Sequence, residues 1–479
     1  MPIIKVMSEI LANKIAAGEV VERCSSVVKE LVENSIDAGS TEIKVDLLDS
    51  GITEIKVTDN GVGMDEEDAK TAFQRHATSK LLDENDLYRI NTLGFRGEAL
   101  PSIASVSKVE LVTSKGLLGT RVKINGGNFE SIERAEARRG TSIAVRNLFY
   151  NTPARLKHLS SMQAELMTVA EYVDIIALSH PNIRFVLTNN GSTMLNTDGK
   201  GDLLKTINSV FGINVARNMI KIETEDRDYK VMGYISKPEI NRTTKNHMIT
   251  LVNGRVVRNS SINRAINDSY HTYKPDNRYP IVVINIEVDP SQIDVNIHPT
   301  KMDIKFSKLE ELQNLLMKEI KKNLDVRTLI PKVEEAIVVN NFIDYEEEEP
   351  IKQEEKPIFV KQELEIHENE VKYETKREEN RYPDMTFVGI AHGTYIIMQN
   401  DTGMYIIDQH AAKERINYEK FKEELGHPLQ NKIPLLFPIT LEYTTSEFMK
   451  LREKMDVLNN IGLLIEEFGI NSIIVKAHP

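Results

Sequence analysis

The stretch VVKELVENSIDAG, from Val27 to Gly39, carries two messages at once. Val27, Val28, Leu31, Val32 and Ile36 recur at helical spacing, so they make one apolar stripe that has to be buried against a sheet. Glu30, Glu33, Asn34 and Asp37 line the other face. Gly39 ends the helix, because glycine accepts the positive φ that a helix terminus needs. Alone, the stretch fits an ordinary surface helix with acids turned to water.

The residues that follow narrow the choice. EIKVDLLDSGITEIKVTDNGVGMD (42–65) reads as strand, turn, strand and then a glycine-broken loop, with Asp59 at the strand end. Gly61 and Gly63 permit a backbone approach that side chains would block. RHATSK (75–80) comes next, then LGFRGEALPSIASVS (93–107), a glycine loop entering a helix whose first amides can hold phosphate. RRGTSIAVRNLFYNTPAR (138–155) adds a second Gly-Thr pair at Gly140 and Thr141. No G-x-x-x-x-G-K-[S/T] loop is present, which excludes a P-loop ATPase.

The chain of 479 residues is too long for one core, and its hydrophobic and charged fractions of 41% and 28% are those of globular protein. No apolar run is long enough for a membrane span, and MPIIKVMSEI lacks the pattern of a signal peptide. Cys24 is the only cysteine, so no intrachain disulfide forms and a reducing cytoplasmic location fits. The net charge of −12 is concentrated: residues 331–384 hold 17 acids against 8 bases, and the first 330 residues are neutral overall. That acidic segment reads as a disordered, self-repelling linker. Nucleic-acid binding is neither announced nor excluded by charge.

Eight segments in order resemble the ATPase superfamily of gyrase, the heat-shock chaperones, histidine kinases and the MutL mismatch-repair proteins (the GHKL superfamily). They are NKIAAGEVVE, KELVENSIDAG, DNGVGM, HATSK, GFRGEAL, LFYNTPAR, VNGRVVR and IHPTKMDIKF, and their wording is most similar to the MutL family. The resemblance implies an α/β (α+β) chain: a GHKL-type ATPase sandwich over 1–204 and a ribosomal-S5-like transducer subdomain over 205–330. The acidic linker would occupy 331–384, and a partial α/β C-terminal dimerisation and endonuclease domain 385–479. It implies ATP and Mg²⁺ as cofactors, with Glu30 as the general base and Asn34 as a ligand to Mg²⁺. Asp59 would take the adenine amino group, which favours ATP over GTP. Gly61 and Gly63 would line the nucleotide loop. Thr78, Ser79, Lys80 and the loop Gly94, Phe95, Arg96, Gly97, Glu98, Ala99, Leu100 would cover the phosphates. Thr141 would support the adenine side, and Lys301 would reach the γ-phosphate. Asp37 either binds or pairs locally, and Arg96 and Glu98 either touch nucleotide or pair with each other.

The same resemblance implies an ATP-gated homodimer in the nucleoid-associated cytoplasm, with DNA and MutS as partners, and a sliding clamp and a helicase as further candidates. IPLLFP (433–438) has Pro434 where a clamp-binding segment has glutamine, so core packing is the competing use of its apolar residues. A matchmaker without nuclease activity and a type II topoisomerase ATPase subunit are the rival readings.

Near the end, TYIIMQNDTGMYIIDQHAAKERINYE reads as a hairpin turning at Asp401–Gly403 and feeding a helix. His410 and Glu414 are four apart and share a helix face, with Asp408 at the junction. The stretch is either a capped, charged helix or part of a metal site. It resembles the motif of MutL proteins that nick DNA, which implies Zn²⁺ or Mn²⁺ at Asp408, His410 and Glu414. The site is expected to be incomplete, since the family's later Cys- and His-bearing motifs are not found before Pro479. A truncated chain is the corresponding expectation.

Overall fold

The computed structural model describes residues 20–79, 97–294, 304–325, 384–391, 393–425 and 432–478. Expectations for Lys80, Gly94, Phe95, Arg96, Lys301 and the linker 331–383 lie outside them. Two compact units result: residues 1–327 with 429–479, and residues 328–428. The stretch 385–479, read as one domain from sequence, therefore has residues in both.

The first layer of the large unit begins with α1 (Cys24–Asp37), β1 (Glu42–Leu48), β2 (Glu54–Asp59), α2 (Glu66–Thr71) and α3 (Ala99–Ser105). β3 (Lys108–Ser114), β4 (Gly119–Asn125), β5 (Asn128–Ala135) and β6 (Gly140–Arg146) follow. The layer closes with α4 (Pro153–His158), α5 (Met162–Ser179), β7 (Arg184–Asn189) and β8 (Ser192–Asn196). The eight strands form one sheet in the order β5-β4-β3-β6-β2-β1-β7-β8, with β1 and β7 parallel. The stripe expected on α1 is the one that packs: Val27, Val28, Leu31 and Val32 are buried, each stabilising by roughly 1.5–3 kcal/mol, and Ile36 is packed against the same core.

Strand alternation decides where the chemistry points. Along β2 the pattern is half-buried then buried throughout, so Ile55, Val57 and Asp59 share the inward face. Asp59 is thus carried into the interior by the same period that buries its apolar neighbours. Cys24 is also interior, and burial together with the Glu165 carboxylate pushes its thiol up to about 12, which leaves it unreactive.

The second layer starts with α6 (Leu203–Phe211), α7 (Ile213–Arg217), β9 (Met219–Glu225), β10 (Tyr229–Ser236) and β11 (Asn241–Arg242). It continues with β12 (Met248–Val252), β13 (Arg255–Val257), α8 (Ser260–Ser269), β14 (Tyr279–Pro280), β15 (Val282–Val288), β16 (Ile293–Asp294), β17 (Lys305–Phe306) and α9 (Leu309–Asp325). Five of these strands form a sheet in the order β13-β12-β15-β10-β9. Ile281 and Val283 join the core of the first layer, whereas Val282, Ile284 and Ile286 join a second core with Leu312, Leu316 and Ile320 of α9. One sheet therefore serves two cores through its alternation.

Residues 384–425 hold β18 (Thr386–Ala391), β19 (Tyr395–Asn400), β20 (Gly403–Asp408) and α10 (Gln409–Leu425). The hairpin expected at Asp401–Gly403 is present, with Asn400 paired to Gly403. The cross-strand rows put Phe387, Met398 and Tyr405 on one face, and Ile397 and Ile406 on the other. Both faces of this three-stranded sheet are apolar, and Phe387, Ile390, Met404 and Ile406 are more than half exposed within the chain.

The last described segment, within the large unit, comprises β21 (Ile433–Glu442), α11 (Thr445–Asn460), β22 (Leu464–Glu467) and β23 (Ser472–His478), with sheet order β21-β23-β22. Among the described residues no helix is long and apolar enough to cross a membrane.

Candidate nucleotide site

The site is organised around the Asp59 carboxylate, which is only 6% exposed. A buried charge of this kind needs donors, and it has three. The Gly61 and Thr141 amides donate to Oδ1 at 2.9 and 3.2 Å, and the Ser35 hydroxyl lies 2.9 Å from Oδ2. These partners come from the loop after β2, the start of β6 and the buried face of α1. A carboxylate offers about four acceptor positions, so one remains on Oδ2 for a ligand donor.

Glycine makes the loop possible. Gly61 approaches the C-terminal end of α1 so closely that a Cβ would lie 2.8 Å from the Ala38 carbonyl oxygen. Gly63 has φ +69°, and a Cβ there would lie 2.0 Å from the Ser114 carbonyl oxygen. Gly39, the helix terminator, shares the φ of +69° but meets nothing within 4 Å. Gly63→Ala is expected to cost about 2–3 kcal/mol more than Gly39→Ala, the difference being the collision. Thermal melts of the two variants check this, and equal losses would remove the steric account.

Thr141 joins a small hydroxyl network: its Oγ1 is 3.0 Å from Thr113 Oγ1, which accepts from the Met64 amide at 2.9 Å. This ties the DNGVGM loop to β3 and β6, and the Gly-Thr pair of 140–141 lies beside Asp59. Ser35 and Thr113 were not anticipated. The signal for Ser35 was available, since it lies four residues after Leu31 and a polar residue inside an apolar stripe needs a buried partner.

Glu30, Asn34 and Asp37 are half-buried on α1. Tyr172 of α5 lies beside this face, its hydroxyl 3.4 Å from the Lys29 carbonyl oxygen. Burial raises the Tyr172 phenol well above its ordinary range, and the Glu33 and Glu30 carboxylates add to the rise. From β13, Arg255 is pushed below its ordinary range by burial, opposed by the carboxylates of Asp37 and Glu33. The acidic face is therefore turned partly toward protein, and Asp37 has structural company in Arg255.

Thr78 is half-buried and Ser79 exposed. Gly97, at φ +63°, packs so that a Cβ would lie 2.4 Å from the Ala77 carbonyl oxygen. Glu98 lies 3.5 Å from His76 Nδ1. HATSK and the end of GFRGEAL are thereby held together, with Ala99 and Leu100 opening α3. The partner considered for Glu98, Arg96, lies outside the described residues.

The stretch at 408–419 takes another form. Asp408 Oδ1 accepts the His410 and Ala411 amides at 2.8 and 3.3 Å, so it caps α10. His410 Nδ1 is 4.0 Å from Asp408, its side chain is 84% exposed, and Glu414 is exposed as well. Glu419 pairs with Arg415 at 2.7 Å. Among the described residues no group of three or more His, Cys, Asp or Glu side chains could hold a metal ion. The cap engages Oδ1 of Asp408, the one oxygen of that carboxylate to which these amides donate.

Comparison with known proteins agrees with this architecture. Residues 22–138 match the family described as histidine kinase-, DNA gyrase B- and HSP90-like ATPase. Residues 207–325 match the DNA mismatch repair protein, C-terminal domain, and residues 388–479 the MutL C terminal dimerisation domain. The chain is 43% identical to the DNA mismatch repair protein MutL of Anoxybacillus flavithermus, over 99% of this chain and 84% of that one. It is 44% identical to MutL of a Geobacillus species, again over 99% and 84%. A crystal structure of the N-terminal domain of a DNA repair protein is similar at TM-score 0.57 and 26% identity, covering 66% of this chain and 98% of that one. With the buried carboxylate, its glycine loop and these relatives together, the chain belongs to the MutL family of DNA mismatch-repair ATPases, with a gyrase- and histidine-kinase-type ATPase domain and a C-terminal dimerisation domain.

Proposed function

We propose that Glu30, Asn34 and Asp59 converge on one bound ATP with Mg²⁺, whose binding brings the N-terminal halves of two copies together and whose hydrolysis lets them part. The observation that supports this most is the Asp59 carboxylate: buried, held by Gly61, Thr141 and Ser35, and left with acceptor capacity for a donor such as the adenine amino group. Guanine would turn a carbonyl oxygen toward that carboxylate, an unfavourable pairing. Asn34 supplies a neutral oxygen of the hard type that Mg²⁺ prefers, and one protein ligand is enough where phosphates and waters complete the shell. The ion's contribution is to neutralise charge on the phosphates. Glu30, one helical turn before Asn34, accepts a proton from the attacking water. Thr78, Ser79 and the Gly97–Leu100 segment cover the phosphates, joined by Lys80, Gly94, Phe95 and Arg96, and Lys301 contacts the γ-phosphate as a point charge.

The two apolar faces of the β18–β20 sheet support association through the C-terminal domain, since a three-stranded sheet with both faces wet is marginal by itself. In the cell the nucleotide cycle would couple recognition of a mismatch by MutS to downstream strand removal on DNA. Asp408, His410 and Glu414 are the residues that would hold Zn²⁺ or Mn²⁺ for strand incision, and a matchmaker without nuclease activity is the alternative reading. Calorimetry of the full chain with Mg²⁺ tests the central point. ATP is expected to bind with GTP weaker by at least about 10-fold; equal affinities, or no heat with ATP, would reject it.

A further inference from the structure

Residues 432–478 have little core of their own, built on Phe448, Ile465 and Ile473. Instead, one end of this segment rests on β8, at the edge of the eight-stranded sheet, and on α7, β11 and His247 of the second layer. The Glu442 carboxylate accepts the Ile213 and Asn214 amides, at 2.5 and 3.3 Å, at the start of α7. Asn471 Nδ2 donates to the Met194 carbonyl oxygen of β8 at 2.8 Å and to Thr445 Oγ1 at 2.9 Å. Glu447 Oε1 lies 3.1 Å from Arg242 Nε and 3.7 Å from His247 Nε2, while its Oε2 accepts the Thr444 amide. Met449 enters the core beneath the large sheet.

This contact touches both layers, and its chemistry is polar. It is also imperfect. His247 Nδ1 and Asp174 Oδ1 are buried with no hydrogen-bond partner among the described residues, and Arg242 Nε faces Glu447 without hydrogen-bond alignment. Buried polar groups left this way oppose the docked state. Asp174 of α5 is held well above the ordinary carboxylate range by burial, then by Glu171 and Glu447, so docking brings a carboxylate toward a group that already disfavours charge. Polar interfaces between parts of one chain are the kind that open and close.

We propose that Glu442, Thr445, Glu447 and Asn471 form a releasable brace between β8 of the first layer and α7 and β11 of the second, an intramolecular contact that restrains ATP turnover until nucleotide displaces it. The geometry of the brace stands apart from the nucleotide site, but its consequence rests on the reading that ATP bound in the first layer engages Lys301, which the sequence places between β16 and β17 of the second, and so shifts one layer against the other. A seat in α7, β8 and β11 at once holds those elements at one spacing. Any rearrangement between them must strain or break it.

Hydrogen exchange on the full chain decides the matter. In Glu442→Lys/Glu447→Gln, where glutamine keeps the α11 cap, the Ile213 and Asn214 amides are expected to lose about 10-fold in protection. ATP turnover is expected to rise about threefold as the restrained state loses its advantage. Residues 450–460 should stay protected, showing that the segment is still folded. Exchanging the charges in Arg242→Glu/Glu447→Arg, which gives up the Glu447 half of the α11 capping box, should leave protection at 213–214, where Glu442 is untouched, close to that of the parent. Unchanged exchange at 213–214 in the first variant overturns the brace, as does unchanged turnover. In the parent chain, a non-hydrolysable ATP analogue with Mg²⁺ should protect α1 while exposing 442–449. Protection of α1 with 442–449 unchanged refutes displacement by nucleotide. Failure to protect α1 instead strikes the nucleotide assignment, and the two variants then decide the brace alone.

Discussion

Glu30→Ala is expected to hold ATP about as tightly as the parent chain and to lose at least about 100-fold in hydrolysis. The reason is a division of labour along α1. The buried stripe, Val27 to Val32, fixes the helix in the core, and Glu30 lies half-buried on the other face. The Asp59 cradle is assembled through Ser35, more than a turn further along, so it survives the truncation. What disappears is a carboxylate placed to accept a proton in the transition state, an interaction that contributes to rate and little to ground-state affinity. Phosphate release under single-turnover conditions, set beside calorimetric affinity, separates the two quantities. A variant that hydrolyses ATP within about threefold of the parent would take the general-base role away from Glu30. A variant that loses binding as well would make the residue a ligand contact.

Asp59→Asn should do the reverse, lowering ATP affinity by about 100-fold or more. Asparagine has one acceptor oxygen where aspartate has two. If that oxygen keeps the Gly61 and Thr141 amides, the amino group takes the Oδ2 position and confronts the adenine amino group, donor against donor. The Ser35 hydroxyl can turn to accept, so the protein side of the network remains satisfied and the fold is retained. The carbonyl oxygen of guanine, disfavoured by the carboxylate, now meets a donor. GTP affinity is therefore expected to hold or rise while ATP affinity falls. Competition between the two nucleotides measures this reversal directly; parallel losses for both would mean that Asp59 maintains the loop without reading the base.

Several parts of this site were legible in the sequence for plain physical reasons. The α1 stripe follows from a short period, and the structure buries Val27, Val28, Leu31 and Val32 with Ile36 half-buried beside them, while the strand, turn and strand read over 42–59 are β1 and β2. Gly61 and Gly63 stand where a Cβ would strike backbone, so the glycine spacing announced a close approach. The hairpin at 400–403 follows from its turn residues. Other parts were not legible. Ser35 looked like filler between Asn34 and Ile36, although it supplies one of the three donors to Asp59. Asp408 stood at a strand-to-helix junction, and only the folded chain shows the His410 and Ala411 amides donating to its Oδ1. The apolar IPLLFP stretch gave core packing as its competing use, yet Leu436 and Phe437 are 88% and 79% exposed within the chain.

By itself the sequence determined which face of its own helix each residue takes: Val27, Leu31 and Val32 on the apolar stripe of α1, Glu30 and Asn34 on the other. Periods of 3.6 and 2 are properties of the local backbone and need no knowledge of the rest of the chain. Only the tertiary structure decided what those side chains meet. Ser35 and Thr141 reach Asp59 across 24 and 82 residues, and Thr445 lies against Met194 across 251. Such meetings depend on sheet order, register and the packing of one layer on another, which every element settles jointly and no single stretch encodes.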